Sequence, residues 1–536
     1  MIYDRRTKRL RNHDDGGSMS RAVTRRINGL RFSAGLRIAL SLGALIAPSG
    51  SSALMGATAT HLPELVHPLR LESCHPKGVD EVLRCGIYEA VENRLRPNGR
   101  MLPIKVVILP AKGASSIRPV FVLAGGPGEA ATEYASELLK SPLREDHDIV
   151  LVDQRGTADS HRLDCPMTVL EDDVQEYLQP LFARLDFWAA CARRLSEHAD
   201  LSQYSTPVAA TDLDEIRQAL GYDRIDLMGG SYASRHAMVY MKMFGEHVHA
   251  AFLSGLVPLE IKTPLHHPES AQRAFDLMVQ DCEADKDCRS AYPDIPGDLT
   301  KALRTLDAAP AHVKVRNPAN GKIVEVLLDR DAFAEGIRAM LYSAPEARRI
   351  PLLLKEAIHG DFREITQNSL DFGYSSRKGY NVAMGLSANC SEDTKRISGS
   401  EIKKYALASF TGPGLVTGKV AVCKLWPDAW LPANHFALFR SKIPVVFLSA
   451  YYDPVTPPQW GEVARLHFTN SVHVVIRAGH SLGNETCTER LAAQLFRSGN
   501  PSTVDLSCGA SFALPPFPSA PNPGSAVDEG RRAIQS

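Results

Sequence analysis

Three side chains that lie far apart in the chain could together carry out nucleophilic catalysis: Ser231, Asp453 and His480. A serine hydroxyl is a poor nucleophile until a base removes its proton, and a histidine base works better when a carboxylate orients its ring. Each of the three residues follows a short apolar run, so each is predicted to lie just beyond a β-strand. A single histidine after a strand is more often a surface or core residue, but three such residues at three strand ends are hard to attribute to chance.

The serine stands in the string Met-Gly-Gly-Ser-Tyr-Ala-Ser at 228–234. The run before it predicts a strand and the run after it predicts a helix, so Ser231 is placed on a sharp strand-to-helix turn. Small neighbours such as Gly229 and Ala233 leave room for that tight backbone. The strict form of this motif has glycine at position 233, and an ordinary strand–helix junction is the alternative interpretation.

A reaction at Ser231 would also need two donors for the negative charge that develops on the substrate oxygen. One predicted donor is the backbone N–H of Tyr232, at the start of the helix. The other is Gly126, in the glycine-rich loop at 125–128 that follows an earlier predicted strand. The simpler interpretation of that loop is a plain tight turn.

The elements around these residues predict an α/β fold with a mostly parallel central sheet. Antiparallel edge strands are expected on either side of Asn98-Gly99, which is a hairpin signal. A helix is expected to open at Thr211, and a polar hairpin at 313–328 is expected to interrupt a long helical stretch. The remaining strands of the sheet are predicted at 118–123, 147–152, 223–227, 249–255, 444–449 and 472–476.

These patterns divide the chain into five segments. They are an N-terminal extension with a signal peptide (1–59), the first part of the core (60–263), a mostly helical cap insertion (264–431), the second part of the core (432–510) and a tail expected to be disordered (511–536).

The N-terminal segment is typical of export. Arginines such as Arg31 and Arg37 precede an apolar run at 38–47, which is too short to span a bilayer as a mature helix. Residues 57–59 or 51–53 fit a signal-peptidase site, and Met19 is a second candidate start. The pair Arg25-Arg26 gives weak support to a twin-arginine signal, and an uncleaved signal anchor is the alternative. The prediction is a periplasmic or secreted protein without stable membrane insertion after signal cleavage.

Cysteine usage agrees with an oxidising compartment, since the chain has 10 cysteines in neighbouring couples. Buried free thiols are the alternative. The spacing does not suit a zinc site, so no metal and no cofactor is expected. Lys+Arg and Asp+Glu both number 61, and this balance gives no reason to expect a nucleic-acid partner. The couples are Cys74 with Cys85, Cys165 with Cys191, Cys282 with Cys288, Cys390 with Cys423, and Cys487 with Cys508.

Taken together, five motifs resemble the prolyl and tripeptidyl aminopeptidase branch of the α/β hydrolases, and the order Ser, Asp, His is the order of that fold. The resemblance runs from about Cys85 to Cys508. It implies an exported serine peptidase with a helical cap, which removes residues or short peptides from substrates with a free N-terminus through an acyl-enzyme. The motifs are 124–128, 153–157, 229–232, 453–457 and 479–480.

Position by position, the resemblance implies that Ser231 is the nucleophile, His480 the base and Asp453 its orienting carboxylate. Gly126 and Tyr232 would form the oxyanion hole. No substrate-binding residue is assigned. A carboxylesterase of the same fold and a catalytically silent binding protein remain alternatives, because the fold alone does not choose the substrate.

The sequence departs from the family pattern at three places. Ala124 stands where the family usually has histidine, and Ala233-Ser234 replaces a glycine pair. Glu129 follows the glycine loop where a small residue is common. Its carboxylate is expected to face solvent, with binding of a substrate ammonium as the alternative. Asp153 and Arg155 are interpreted as residues that fix loops.

Overall fold

A central sheet of nine strands organises the chain in the computed structural model, which describes residues 62–113, 118–165 and 173–519. The strand order among these residues is β1-β2-β3-β5-β4-β6-β7-β10-β11, and β8 pairs with β9 in a separate hairpin. The strands are β1 (Glu72–Cys74), β2 (Leu83–Val91), β3 (Met101–Leu109), β4 (Val120–Leu123), β5 (Ile149–Val152), β6 (Ile225–Gly230), β7 (Val248–Ser254), β8 (Ala311–Arg316), β9 (Ile323–Leu328), β10 (Val445–Ala450) and β11 (Ser471–Ile476).

The sheet is antiparallel at its first edge and parallel from β5 to β11, as the sequence predicts. Strands β4 and β5 are buried along their whole length, which explains why their sequences are continuous apolar runs. Because parallel strands end at the same edge, Leu123 pairs with Gly229 and Gly230 pairs with Ser254. The loops after these strands therefore gather at one rim of the sheet.

Helices cover both faces of the sheet and form a large insertion between β7 and β10. Outside the insertion lie α1 (Ala135–Leu138), α2 (Gln175–Leu178), α3 (Leu185–Ser196), α4 (Thr206–Ala219), α5 (Tyr232–Phe244), α16 (Pro458–Arg465) and α17 (Glu485–Ser498). Within it lie α6 (His267–Ala284), α7 (Lys286–Ala291), α8 (Ile295–Ala308), α9 (Arg330–Met340), α10 (Ala344–Ala347), α11 (Ile350–Ala357), α12 (Arg363–Gly379), α13 (Val382–Glu392), α14 (Gly399–Tyr405) and α15 (Gly414–Cys423).

The insertion, which we call the cap, occupies the segment where the sequence predicts helices, and the β8–β9 hairpin interrupts it at the predicted place. Most of the cap has its own apolar cluster, which includes Phe275 and Phe333. Helices α13 and α15 differ, because Met384 and Val422 belong to the same apolar cluster as Leu227 of the sheet. Part of the cap is thus packed directly on the core, close to the carboxyl ends of the strands.

The helix expected to open at Thr211 begins five residues earlier. Helix α4 starts at Thr206, with Ser205 at the N-cap position and Pro207 in the first turn, where proline is tolerated. Thr211 is fully buried inside the helix, and its hydroxyl donates to the carbonyl of Pro207 at 3.0 Å. The expected cap is therefore wrong, because the earlier Ser-Thr-Pro string is the stronger start signal.

The tail is ordered further than the sequence predicts. Disorder was expected from residue 511, but Phe512 is buried, and the carbonyl of Pro518 accepts a hydrogen bond from Tyr292 of the cap at 3.1 Å. The guanidinium of Arg348 lies 4.0 Å from the ring centroid of Phe517. Phe512 belongs to an apolar cluster of the sheet and α17, and Phe517 packs against the cap cluster, although the segment reads as Pro- and Ser-rich. Residues 520–536, and the signal peptide predicted at 1–59, lie outside the described residues.

All five predicted cysteine couples are disulfide-bonded. One of them, Cys390–Cys423, joins α13 to α15 across the part of the cap that packs on the core. Within the described ranges, no helix combines the length and the apolar character needed to cross a bilayer.

Candidate active site

Ser231 occupies a strained position between β6 and α5, with φ 56° and ψ −129°. A non-glycine residue at positive φ costs on the order of 1–3 kcal/mol, so the surrounding structure must hold it there. Its N–H donates to the carbonyl of Ser254 at 3.0 Å, and its carbonyl accepts from the N–H of Ser234 at 3.0 Å. These bonds fix the serine at the rim of the sheet.

The small residues around Ser231 are required by close packing. A Cβ at Gly229 would lie 2.7 Å from the Cβ of Ala233, and a Cβ at Gly230 would lie 2.7 Å from Oγ of Ser254. Ala233 is itself fully buried, so its methyl group fills the space that a glycine would leave. The turn thus accepts alanine at 233 and depends on glycine at 229.

Asp453 and His480 meet at the ends of β10 and β11. Nδ1 of His480 donates to Oδ2 of Asp453 at 2.9 Å, and the carboxyl group is 1% exposed. Burial alone would raise the pKa of Asp453, but the charge and hydrogen bond of His480, together with the donors of Thr456, outweigh it and lower the pKa. Burial would lower the pKa of His480, yet the charge and hydrogen bond of Asp453 raise it, with a further contribution from Glu129.

Ser231 and His480 line the same cavity. Gly255 lies between them, since a Cβ there would be 3.4 Å from the N of Ser231 and 3.6 Å from Cε1 of His480. No hydrogen bond joins the two side chains among the described residues, and such contacts often shorten only when substrate is bound. The structure therefore brings together all three residues that the sequence singled out.

Two residues without a predicted role position the imidazole and its carboxylate. The hydroxyl of Thr456 donates to Oδ2 of Asp453 at 2.6 Å, and its N–H donates to Oδ1 at 2.7 Å. Tyr342 of the cap packs its ring against that of His480, with centroids 5.2 Å apart, and its carbonyl accepts from the N–H of Ser481 at 2.8 Å. Thr456 stands three residues after Asp453, a spacing that could have suggested a local turn, whereas no signal near His480 points to Tyr342.

The glycine-rich loop lies beside the serine turn. A Cβ at Gly125 would lie 3.6 Å from the carbonyl oxygen of Gly230. Gly126 is exposed with φ 104°, and a Cβ there would lie 2.7 Å from the N of Gly128 and 3.3 Å from Cδ1 of Tyr380 in the cap. The two predicted oxyanion donors, on Gly126 and Tyr232, are thus placed on adjacent backbone segments at the sheet rim.

Glu129 does not face open solvent as the sequence interpretation expected. It is half-buried and lines the cavity, where its carboxylate accepts hydrogen bonds from the hydroxyl of Tyr134 and from the N–H of Gly125 at 3.1 Å. Burial and the charge of Glu129 raise the pKa of Tyr380. No Lys, Arg or His lies within salt-bridge distance of Glu129 in the described part of the chain. Tyr380, which is 251 positions away in sequence, encloses Glu129, so burial could not be inferred locally.

The cavity has a volume of about 960 Å³ and lies between the core and the cap. The core contributes Ser231, His480 and the glycine-rich loop, and the cap contributes side chains such as Arg338 and Lys419. A volume of this size suits a drug-sized or short-peptide ligand. The catalytic candidates therefore lie in a partly open cavity between the core and the cap rather than on a flat surface.

Asp153 and Arg155 fix loops, in agreement with the interpretation from the sequence. Asp153 accepts from the N–H of Thr132 at 2.8 Å, and burial raises its pKa to about 6. Arg155 is fully buried and donates to both carboxylate oxygens of Asp212 at 2.6 Å, and to the carbonyl of Glu92 at 2.8 Å. Both residues act on the framework below the cavity.

A strained serine on a strand-to-helix turn, with an aspartate and a histidine after two neighbouring strands, is the arrangement of an α/β hydrolase. Two family profiles match the chain accordingly: the alpha/beta hydrolase fold at residues 118–292 and the TAP-like protein family at 408–508. The chain therefore has the α/β-hydrolase fold with a TAP-like C-terminal segment, and it is a serine hydrolase.

Curated relatives of the chain carry several activities in their names. Serine protease Hip1 of Mycobacterium tuberculosis is 26% identical over 470 residues, which is 80% of this chain and 89% of that protein. Carboxylesterase B of the same organism is 25% identical over 461 residues, 79% of this chain and 86% of that protein. Tripeptidyl aminopeptidase of Streptomyces lividans is 25% identical over 193 residues, 33% of this chain and 35% of that protein.

Proposed function

We propose that the protein is an exported serine aminopeptidase that removes residues or short peptides from substrate N-termini through an acyl-enzyme. The observation that carries the proposal is the position of Glu129, a carboxylate with no cationic partner among the described residues, in the same cavity as Ser231 and His480. A free substrate ammonium would supply the missing counter-charge. The cap covers part of the cavity, which supports binding of a chain end rather than the middle of a polypeptide.

In the proposed reaction His480 takes the hydroxyl proton of Ser231 as the serine oxygen attacks the scissile carbonyl carbon. Asp453 holds the proton on Nδ1 of His480 and stabilises the imidazolium that forms. The N–H groups of Gly126 and Tyr232 would donate to the oxyanion. His480 then passes the proton to the leaving amine, and water, activated by the same base, hydrolyses the acyl-enzyme.

Export is supported by the disulfides and by the N-terminal sequence. Five disulfide bonds join all ten cysteines of the chain, and structural disulfides persist in oxidising compartments. The arginine-rich stretch followed by an apolar run at 38–47 is typical of a signal peptide. Both features support a periplasmic or secreted location.

A carboxylesterase is the second candidate, favoured by the likeness to Carboxylesterase B. The test is a panel of peptidyl p-nitroanilides of one to three residues, each with a free or an acetylated amino terminus, together with matched p-nitrophenyl esters. The aminopeptidase predicts that acetylation lowers kcat/KM on the preferred peptide by at least about tenfold, the equivalent of one charge-assisted contact. Equal turnover of free and blocked peptides, or hydrolysis of the esters alone, would contradict it.

A further inference from the structure

The cavity also contains a positively charged region, which is formed by Lys419 and Arg377. Lys419 of α15 is half-buried and lines the cavity, with Nζ 5.7 Å from the ring centroid of Phe182. No carboxylate of the described chain lies within salt-bridge distance of Lys419, and no hydrogen bond to it is formed there. Burial lowers the pKa of its ammonium group to about 8, against a partial opposing effect from Asp393.

A second cation, Arg377, lines the same cavity. Arg377 of α12 lines the cavity and donates to the backbone carbonyls of Glu176 and Gln179, both at 2.8 Å. Phe182, which faces Lys419, follows three residues after Gln179. Arg377 makes no salt bridge to a described carboxylate, although the charges of Glu176 and Glu335 partly offset the lowering of its pKa by burial.

The acidic side chains that the cap contributes to the cavity already have partners. Asp331 accepts from Arg330 at 2.9 Å, and Glu335 pairs with Arg338. Both carboxylates are thus paired with arginines, and neither lies within salt-bridge distance of Lys419. A buried charge without a partner is unfavourable, and a ligand that brings the opposite charge recovers that free energy.

The positive region is within electrostatic reach of the catalytic end. His267 lines the cavity, and its pKa is lowered by burial first, and then by the charges of Arg338, Lys419 and His480. The charges of Lys419 and of the catalytic base His480 therefore both act on His267. One substrate in the cavity could contact both Lys419 and the catalytic residues.

We propose that Lys419 binds a carboxylate carried by the acyl part of the substrate, so that the enzyme prefers acidic residues on the N-terminal side of the scissile bond. The peptide nature of that substrate rests on the proposed function. The competing role for Lys419 is structural, as a cation packed over Phe182, and that role predicts no preference among substrates.

The test compares glutamate with glutamine at each acyl position of free-amine peptidyl p-nitroanilides of one to three residues. For the wild type we expect kcat/KM to be at least about tenfold higher for glutamate at one position, the range of a charge-assisted contact. Lys419→Met should reduce that ratio about tenfold, and Lys419→Arg should keep it within about threefold. Lys424→Met, at an exposed lysine just after α15, is the matched control and should leave the ratio unchanged.

A wild-type ratio near one at every position, or a ratio that survives Lys419→Met, would overturn the proposal. The wild-type comparison does not depend on any variant folding. If the enzyme cleaves only esters, the proposed aminopeptidase fails separately. The proposed carboxylate site is then tested by comparing kcat/KM for the p-nitrophenyl ester of glutaric acid with kcat/KM for that of its monoamide. The wild type and the same variants are used, and the acid should again be preferred by at least about tenfold.

Discussion

Nδ1 of His480 lies 2.9 Å from Oδ2 of Asp453, although the two residues are 27 positions apart. The contact exists because β10 and β11 are parallel and in register, with Ala450 opposite Ile476, so both residues emerge at the same rim. The carboxylate fixes one ring nitrogen of His480 and leaves the other free to face the cavity. This relationship underlies the predictions about activity.

Asp453→Asn should lower kcat by about 10³–10⁴-fold, because an amide can donate to Nδ1 and stabilise the wrong tautomer of His480. The protein should still fold, since the asparagine oxygen can accept from the N–H groups of Val455 and Thr456. The measurement is steady-state turnover of the best chromogenic substrate. Arg465→Gln, at an arginine of α16 outside the cavity, is the control, and comparable loss in both variants would contradict the prediction.

The pH profile should reflect the raised pKa of His480. A raised pKa keeps the imidazole protonated, and so inactive as a base, to higher pH. The rising limb of kcat/KM should therefore have its midpoint above the ordinary histidine value of 6.5. Since the charge of Glu129 contributes to that shift, Glu129→Gln should move the midpoint to lower pH.

Tyr134→Phe is the matched control for that shift. It removes the hydroxyl that donates to Glu129 but keeps the carboxylate charge. The rising limb of the kcat/KM pH profile should therefore not move to lower pH. If the midpoint of the rising limb is unchanged in Glu129→Gln, or moves to higher pH, the charge of Glu129 does not raise the pKa of His480.

Gly229→Ala should destabilise the fold, because its Cβ would lie 2.7 Å from the Cβ of Ala233 and 3.4 Å from that of Leu123. Overpacking of this kind costs about 1–3 kcal/mol in the free energy of unfolding. Gly379→Ala, at the end of α12 with no atom within 4 Å of the added Cβ, is the control and should not destabilise. Urea unfolding measures both, and equal midpoints would refute the steric argument.

Removal of the Cys390–Cys423 disulfide by a double alanine substitution should lower the free energy of unfolding by about 2–4 kcal/mol. The bond closes 33 positions of chain and ties α13 to α15, which line the cavity. The same change at Cys282–Cys288, which closes 6 positions, should have a smaller effect. The opposite order in denaturant unfolding would contradict this expectation.

The sequence predicts the parallel sheet and the three catalytic candidates because each depends on a local pattern, an apolar run followed by a polar residue at a strand end. Glu129 was misplaced because Tyr380, which lies beside it, comes from the short connection after α12 of the cap, far along the chain. No local sequence pattern marks Lys419 either. Its lack of an ionic partner depends on arginines elsewhere in the chain, which pair with the carboxylates of the cavity. The tail at 511–519 reads as disordered in isolation and is ordered by contacts with Tyr292 and Arg348 of the cap.

The most direct test of the account is the site at which a fluorophosphonate probe reacts, identified by mass spectrometry of the labelled peptide. The account predicts a single label on Ser231, complete loss of labelling in Ser231→Ala, and slow labelling in His480→Ala. A label on another residue, persistent labelling of Ser231→Ala, or undiminished labelling of His480→Ala would contradict it.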